Sequence, residues 1–482
     1  LMANASWLPY LFLCQPFIIS ASDINAVIPM NPLERKSLVG LASLYAFRMV
    51  GLFMLLPVLA LYAGDYSGSS ALLVGLALGI YGLTQGLFQI PLGFLSDRVG
   101  RKPVIAAGML LFLVGSVIAA LSDSMWGLIA GRAMQGAGAV ASTIMALLSD
   151  LTTEQNRTKA MAVVGGSIGI SFALSMVLGP VLANQWGLSG LFWLAAGMSV
   201  VGIGVLALVI PTPVTLLHNA EAEAVPAMFG RLLKDAELLR LNLGIGTLHF
   251  AQMASWVAVP VILEQSLDLA RGDHWMIYLG TMGLSFLCML PFIIIAETRR
   301  KMKPVFIGAV ILLALAEIVL AGNIDYRYGF IAGLFLFFMA FNLLEASLPS
   351  LVSKLAPAGG RGTAMGIYST SQFLGAFLGG VVGGYVAWRF GYAEVFLMVA
   401  VSIIVWLIAA VTMKKPAHLK SLVVTLMPGE VIAAEHFVGA VPGVQDVVIM
   451  PDHRLAYFKV DKDFFCQADM ESALGRPLET PV

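Results

Sequence analysis

The chain has 482 residues, of which 59% are hydrophobic and only 12% charged. Soluble domains carry about 25% charged residues, so this composition excludes an ordinary soluble fold and describes a polytopic membrane protein with a mean hydropathy of +0.89. Lys and Arg (28) balance Asp and Glu (28), with no basic tract for nucleic acid, and Cys14, Cys288 and Cys466 lie too far apart for a disulfide framework or a metal site. In chain order, Leu1–Met30 comes first, with an apolar patch over Trp7–Ser20 interrupted by Pro9 and Pro16. Without a basic leading region it makes a poor signal peptide, and it is too short and broken to cross a bilayer of roughly 30 Å. It reads as an extension outside the folded body, with Met30 as the working start.

Apolar runs of about 20 residues then recur between short polar loops. They predict twelve spans near 37–63, 71–95, 103–121, 126–149, 160–183, 188–210, 242–263, 275–296, 304–321, 329–352, 363–387 and 393–412. If the N-terminus is inside, the inner loops and tail hold nineteen Lys and Arg residues, among them Arg35, Arg98, Arg101, Lys102, Arg300, Lys303 and Lys414. The outer loops hold only Arg271, Arg327 and Arg389, an asymmetry that places both termini in the cytoplasm. Pro211–Leu241 is a longer polar linker with a short amphipathic helix, dividing six spans (31–210) from six (242–412). The halves repeat: Arg157–Met161 aligns with Arg361–Met365, and the same offset brings Ser175 onto Gly379.

After a connector at 413–420 the pattern changes. Ser421–Leu426, Val444–Met450 and Leu455–Val460 alternate as strands, with helical stretches over Glu430–Val441 and Phe464–Leu474. This β-α-β-β-α order predicts a small ferredoxin-like domain over 421–482. It resembles heavy-metal-binding domains, but the first loop, Met427-Pro428-Gly429-Glu430, lacks the paired cysteines a soft metal needs, and no metal or cofactor is expected.

The most specific stretch is Gly93-Phe-Leu-Ser-Asp97-Arg98-Val-Gly100-Arg101-Lys102-Pro103, which joins two spans in a tight hairpin with a cationic tip. It resembles the loop between the second and third helices of the major facilitator superfamily, with Gly93, Leu95, Asp97, Arg98, Gly100, Arg101 and Lys102 all matching that pattern. The resemblance, covering about 31–412, implies an all-α transporter of two six-helix bundles related by an axis along the membrane normal. The resemblance further implies the proton-driven drug-exporter type: a bacterial inner-membrane monomer without cofactors that exchanges small hydrophobic or cationic compounds for protons. In the fourth span, Arg132, Gln135 and Gly136 match the superfamily's R-x-x-Q-G pattern, linked to proton transfer. Arg132 keeps its own proton at physiological pH, so its role would be to tune a neighbouring acid. Gly166, Ser175, Gly179 and Pro180 in the fifth span are similar to the antiporter signature, with Ser175 and Ala183 as small substitutes.

Other intramembrane polar residues stand on their own chemistry. Arg48, about eleven residues into the first span, costs about 2.5–3.5 kcal/mol to insert and must face a partner or a wet cavity. It occupies the helix in which many proton-driven exporters carry an acid. His249 lies at the corresponding depth of the seventh span and titrates in the physiological range; a packed, hydrogen-bonded histidine is the plainer alternative. Glu317 and Glu345 are the carboxylates well inside spans, and Asn342 shares a turn with Glu345. Apolar surroundings favour the neutral form of a carboxyl, which suits reversible protonation, with Glu345 ranked first. Asp97 is expected to face the N-terminus of the eleventh helix and hold the inner gate shut through the helix dipole. A solute symporter and a membrane sensor with the C-terminal domain as output remain as alternatives. No nucleophile–base constellation points to an enzyme.

Overall fold

The computed structural model describes residues 30–212, 228–357, 360–414, 419–427, 437–450, 455–461 and 464–478. The expected N-terminal extension, most of the helix expected over Glu430–Val441 and the turn at 451–454 lie outside the described residues. Helix α1, Pro32–Phe53, begins on a capping box. Asn31 Oδ1 accepts from Glu34 N at 2.8 Å and Glu34 Oε2 accepts from Asn31 N at 3.0 Å, while Pro32 occupies a position whose amide needs no partner. The helix stops before the expected end at residue 63. Pro57 has no N–H to donate, so the backbone passes through turns before α2, Leu59–Tyr62, resumes the path.

Helices α3 (Ala71–Val99) and α4 (Arg101–Leu121) form the expected hairpin, separated by Gly100 alone. Its φ of 103° suits a residue without Cβ. The fourth expected span is two pieces, α5 (Met125–Ala137) and α6 (Ala141–Asp150). Gly138 between them crowds the backbone of Gly108 on α4. Helix α7, Glu154–Leu208, runs 55 residues, about 80 Å if straight and far longer than a bilayer core. Gly187, at φ 65° and ψ −174°, interrupts its helical backbone between the stretches expected as the fifth and sixth spans.

The short α8, Phe229–Leu232, lies in the linker. Then follow α9 (Ala236–Gln265), α10 (His274–Thr298), α11 (Met302–Gly322), α12 (Arg327–Leu355), α13 (Arg361–Arg389) and α14 (Tyr392–Val411). Several helices overshoot the apolar runs by up to six residues, because apolar residues mark the hydrocarbon while helical hydrogen bonding continues through the interface. Among the described residues, nine helical stretches are long and apolar enough to cross a membrane.

Helix α13 falls outside that set because it is a packing helix, rich in Gly, Ser and Thr. Gly380 and Gly384 abut the backbone of α3 at Gly75. A second face, Gly375, Gly379 and Gly383, lies against the α9 backbone at Gly246, Phe250 and Ala254. Small residues at this spacing let membrane helices touch backbone to backbone.

After the spans, β1 (Leu419–Thr425), β2 (Val444–Met450) and β3 (Leu455–Asp461) form an antiparallel sheet in the order β1-β3-β2. Helix α15, Gln467–Leu474, starts three residues later than expected and delivers Met470 to a core with Leu422, Val424, Phe437, Phe458 and Val460. Lys459, 4% exposed, donates its ammonium to the carbonyl of Ala356 at the end of α12, where the helix dipole favours a cation. Asp446 lies 3.5 Å from Arg231 of α8.

The α13 contacts predict an asymmetric glycine scan. Gly375→Ala should destabilise the protein by about 1–3 kcal/mol through overpacking, read as a lower unfolding temperature in detergent. Gly366→Ala, whose new methyl meets nothing within 4 Å, should be neutral or stabilising by about 0.5–1 kcal/mol.

Candidate functional site

Asp97 and Arg101 of the hairpin join Asp150 in one charge cluster. Arg101 is 3% exposed and donates to Asp97, to Ser96 Oγ at 2.8 Å and, through Nε, to Asp150 Oδ2 at 3.2 Å. Ser96 in turn donates to the carbonyl of Gly93 at 2.6 Å. Lys102 caps the far end of α7, its Nζ 2.8 Å from the carbonyl of Ile210, and Arg98 is exposed. The partner of Asp97 in this structure is therefore Arg101 of its own hairpin. Asp150, which carries no motif, completes the cluster. A second buried acid, Glu34, accepts from Thr153 N at 2.7 Å and Asn156 Nδ2 at 3.2 Å, tying the starts of α1 and α7 together.

Mid-helix, Arg48 and Arg132 converge on Tyr81, with Gln135 held beside Arg132. Arg48 Nη2 donates to Tyr81 Oη at 2.9 Å and to Gln85 Oε1 at 2.7 Å. The guanidinium of Arg132 lies 4.9 Å from the centre of the Tyr81 ring, a cation–π contact. It also donates to Gln135 Oε1 at 2.9 Å and to the carbonyl of Ala77 at 3.3 Å. Gln135 Nε2 donates to Ser116 Oγ at 2.8 Å. The two guanidiniums thus share one neutral phenol.

Across the chain's second half, His249 Nε2 is 3.8 Å from Glu345 Oε2 and 2.8 Å from Gln372 Nε2. His249 Nδ1 donates to the carbonyl of Ile245 at 3.3 Å, which leaves Nε2 as an acceptor in the neutral ring. One proton placed on either His249 or Glu345 makes their contact attractive; with none, a carboxylate faces a lone pair. Asn342 donates to Ser285 at 3.4 Å, and Glu317 is fully buried and accepts from Ser255 at 3.0 Å. These two sequence candidates join other clusters and are not brought to His249. The antiporter-like residues divide as well. Ser175 donates to the carbonyl of Val50 at 3.3 Å, Gly179 packs on Met54 and Pro57, and Pro180 is buried, whereas Gly166 has open space at its Cα.

The halves meet at one end and at mid-depth. At the end holding α2, Arg271 stacks 4.9 Å over the Tyr62 ring, beside the α3–α13 glycine contact. At mid-depth Phe172 lies 6.4 Å from Phe341, with Phe53 5.0 Å from Phe172 and His249 5.9 Å from Phe341. A methyl group on Gly86 would sit 3.4 Å from Phe373. Their chain neighbours Gln85 and Gln372 therefore occupy the same level of the seam. Tyr81, Gln85 and Gln372 escaped the sequence reading because neutral polar residues in spans give no motif. The Asn31-Pro-Leu-Glu34 capping box was the one available signal for Glu34.

Two helical bundles meeting along a seam, with polar clusters at mid-depth on each side, make the framework of a secondary transporter. The chain belongs to the Major Facilitator Superfamily, a family of transporters and not of enzymes, whose model matches residues 41–380 and 303–425. It is 47% identical over 448 residues to the inner membrane transport protein YajR of Escherichia coli (strain K12), covering 92% of this chain and 98% of that protein. It is 24% identical over 341 residues to the multidrug resistance protein MdtH of Yersinia pestis (strain Pestoides F), covering 70% and 83%. Among solved structures, a bacterial homolog of the human lysosomal transporter Spinster, inward-facing and occupied, superposes with a TM-score of 0.64 at 14% identity, covering 79% of this chain and 96% of that one.

The cluster around Arg101 gives a stability prediction. Arg101→Ala leaves Asp150, whose side chain is 2% exposed, beside Asp97 without their guanidinium, and should destabilise by about 3–5 kcal/mol. Thermal unfolding of the purified variant measures it, with Arg98→Ala as the near-silent control.

Proposed function

We propose that this protein is a proton-coupled exporter of small hydrophobic or cationic compounds in a bacterial inner membrane, working as a monomer by alternating access. Twelve spans follow if the break at Gly187 divides α7 into two, α5 and α6 make one, and α13 counts despite its polarity. With both termini cytoplasmic, as the distribution of Lys and Arg supports, the closed end at Tyr62 and Arg271 is the outer one, and the conformation is inward-facing. The order β1-β3-β2 supports a ferredoxin-like C-terminal domain.

The observation that carries the reading is the His249–Glu345 pair beneath the Phe172–Phe341 contact. A pair that can share one proton, placed where the two bundles touch, would couple proton occupancy to their relative position. Binding can shift a conformational equilibrium only through such a difference between states. Asp97 is the proposed inner latch: in the inward-facing state it is held by Arg101, and on closure it turns to the N-terminus of α13. The family resemblance and the similarity to a multidrug resistance protein support export. Hydrophobic cargo is consistent with the aromatic surface of Phe53, Phe172 and Phe341.

In proteoliposomes with an imposed pH gradient and a panel of dyes, wild type should move dye against the proton flow. Glu345→Gln should lose gradient-driven transport by roughly tenfold or more while keeping dye exchange at equal pH, and Glu317→Gln should keep coupling. Movement of dye in the direction of the proton gradient would make the protein an uptake symporter. A cysteine pair replacing Tyr62 and Arg271 should, once oxidised, abolish transport, and reduction should restore it. Full activity of the cross-linked protein would end the alternating-access reading.

A further inference from the structure

The N-terminal half carries two intramembrane cations with no anion to match. Arg48 is 1% exposed and Arg132 fully buried, and among the described residues Arg48 Nε and Nη1, Arg132 Nη2 and Gln85 Nε2 have no hydrogen-bond partner. The acids of the same half that could serve are engaged at the helix ends: Glu34 by Asn31, Thr153 and Asn156, and Asp97 and Asp150 by Arg101. What faces Arg48 instead is a phenol and a primary amide, two neutral oxygens at 2.9 and 2.7 Å. A desolvated guanidinium with unused donors beside neutral acceptors is a costly arrangement. Such a site is completed when an anion arrives.

The opposite wall has the complementary polarity. Among the described residues Glu345 Oε2 and Tyr368 Oη are buried atoms with no hydrogen-bond partner, the former 3.8 Å from His249 Nε2, at the level of the seam fixed by Gln85 and Gln372. Phe53, Phe172 and Phe341 form a chain of ring contacts along the same seam.

We propose that Arg48 is the anion-recognising group of the cargo site, and that the cargo is a small organic anion, a carboxylate or sulfonate with an apolar or aromatic body. This rests on the transport reading and revises the charge of its cargo. The anionic oxygen displaces Gln85 Oε1 from Arg48, and the freed Gln85 amide N–H donates to the same group. The apolar body lies against Phe53, Phe172 and Phe341. Arg132 does not touch the ligand: stacked on Tyr81, it holds the phenol whose hydroxyl orients Arg48.

The test uses the purified full-length protein in detergent, read by thermal unfolding at constant ionic strength. The probes are benzoate, salicylate and naphthalene-2-sulfonate, with chloride, inorganic phosphate, tetraphenylphosphonium and ethidium for comparison. At least one organic anion should raise the wild-type unfolding temperature by roughly 2–4 °C. The shift should vanish in Arg48→Gln and persist in Glu317→Gln. Gln85→Ala, which removes the neutral stand-in, should lower the half-saturating concentration. Without ligand, Arg48→Gln should unfold at a higher temperature than wild type, because an uncompensated buried charge is gone; a purely structural arginine would give the opposite sign. The proposal is overturned if no organic anion separates wild type from Arg48→Gln, if only the organic cations stabilise, or if chloride or phosphate alone responds. Because binding is read without transport, anion binding in a protein that moves no solute would sink the transport reading and leave the site standing.

Discussion

Backbone contact between α13 and its two neighbours is the constraint on which the rest depends. Inside a bilayer, apolar side chains gain little by burial against one another, so close packing must supply the attraction. Gly375, Gly379 and Gly383 let α13 settle on α9, and Gly380 and Gly384 let it touch α3 of the other bundle. One helix therefore belongs rigidly to the second half while forming a smooth face toward the first. A face built largely from backbone and glycine has few interdigitating side chains to unlock when it slides or parts.

Mid-depth polar groups are arranged around that seam in two different chemistries. On the first half, Arg48 and Arg132 share Tyr81, with neutral oxygens as acceptors. On the second, His249 and Glu345 are groups that can carry or release a proton, and Gln372 hydrogen-bonds the imidazole. The first cluster is fixed in charge and the second is variable. A transporter that uses an ion to drive cargo needs both kinds of group, because the driving ion must be released without the cargo site losing its selectivity.

The hairpin at Gly93–Pro103 was legible because its glycines and charges recur at fixed spacing, and the span positions were legible because hydrocarbon demands long apolar runs. The broken ends were not. Pro57 was visible in the sequence, but whether a membrane proline bends or ends a helix depends on what its neighbours satisfy. Gly379 of α13 was visible in the sequence as the repeat partner of Ser175, but that its glycines meet α9 on one face and α3 on another needed the fold. Arg48, Arg132, His249 and Glu345 stood out as charges in apolar runs, while Tyr81, Gln85 and Gln372 looked like filler. Their partners lie 33, 37 and 123 residues away, and only the fold makes them neighbours. Asp97 was paired in expectation with a distant helix end, yet a nearer guanidinium four residues on takes it in this state.

The ammonium of Lys459 on the carbonyl of Ala356 has a mechanical consequence. The soluble domain hangs from the end of the same helix that carries Glu345, and its contact with Arg231 reaches the linker between the bundles. It is thus a rider on one bundle, and any swing of that bundle is magnified into a larger sweep of the rider through the aqueous phase. Whatever grips the rider from outside, a neighbouring protein or a crowded surface, would brake the swing at its handle without entering the membrane.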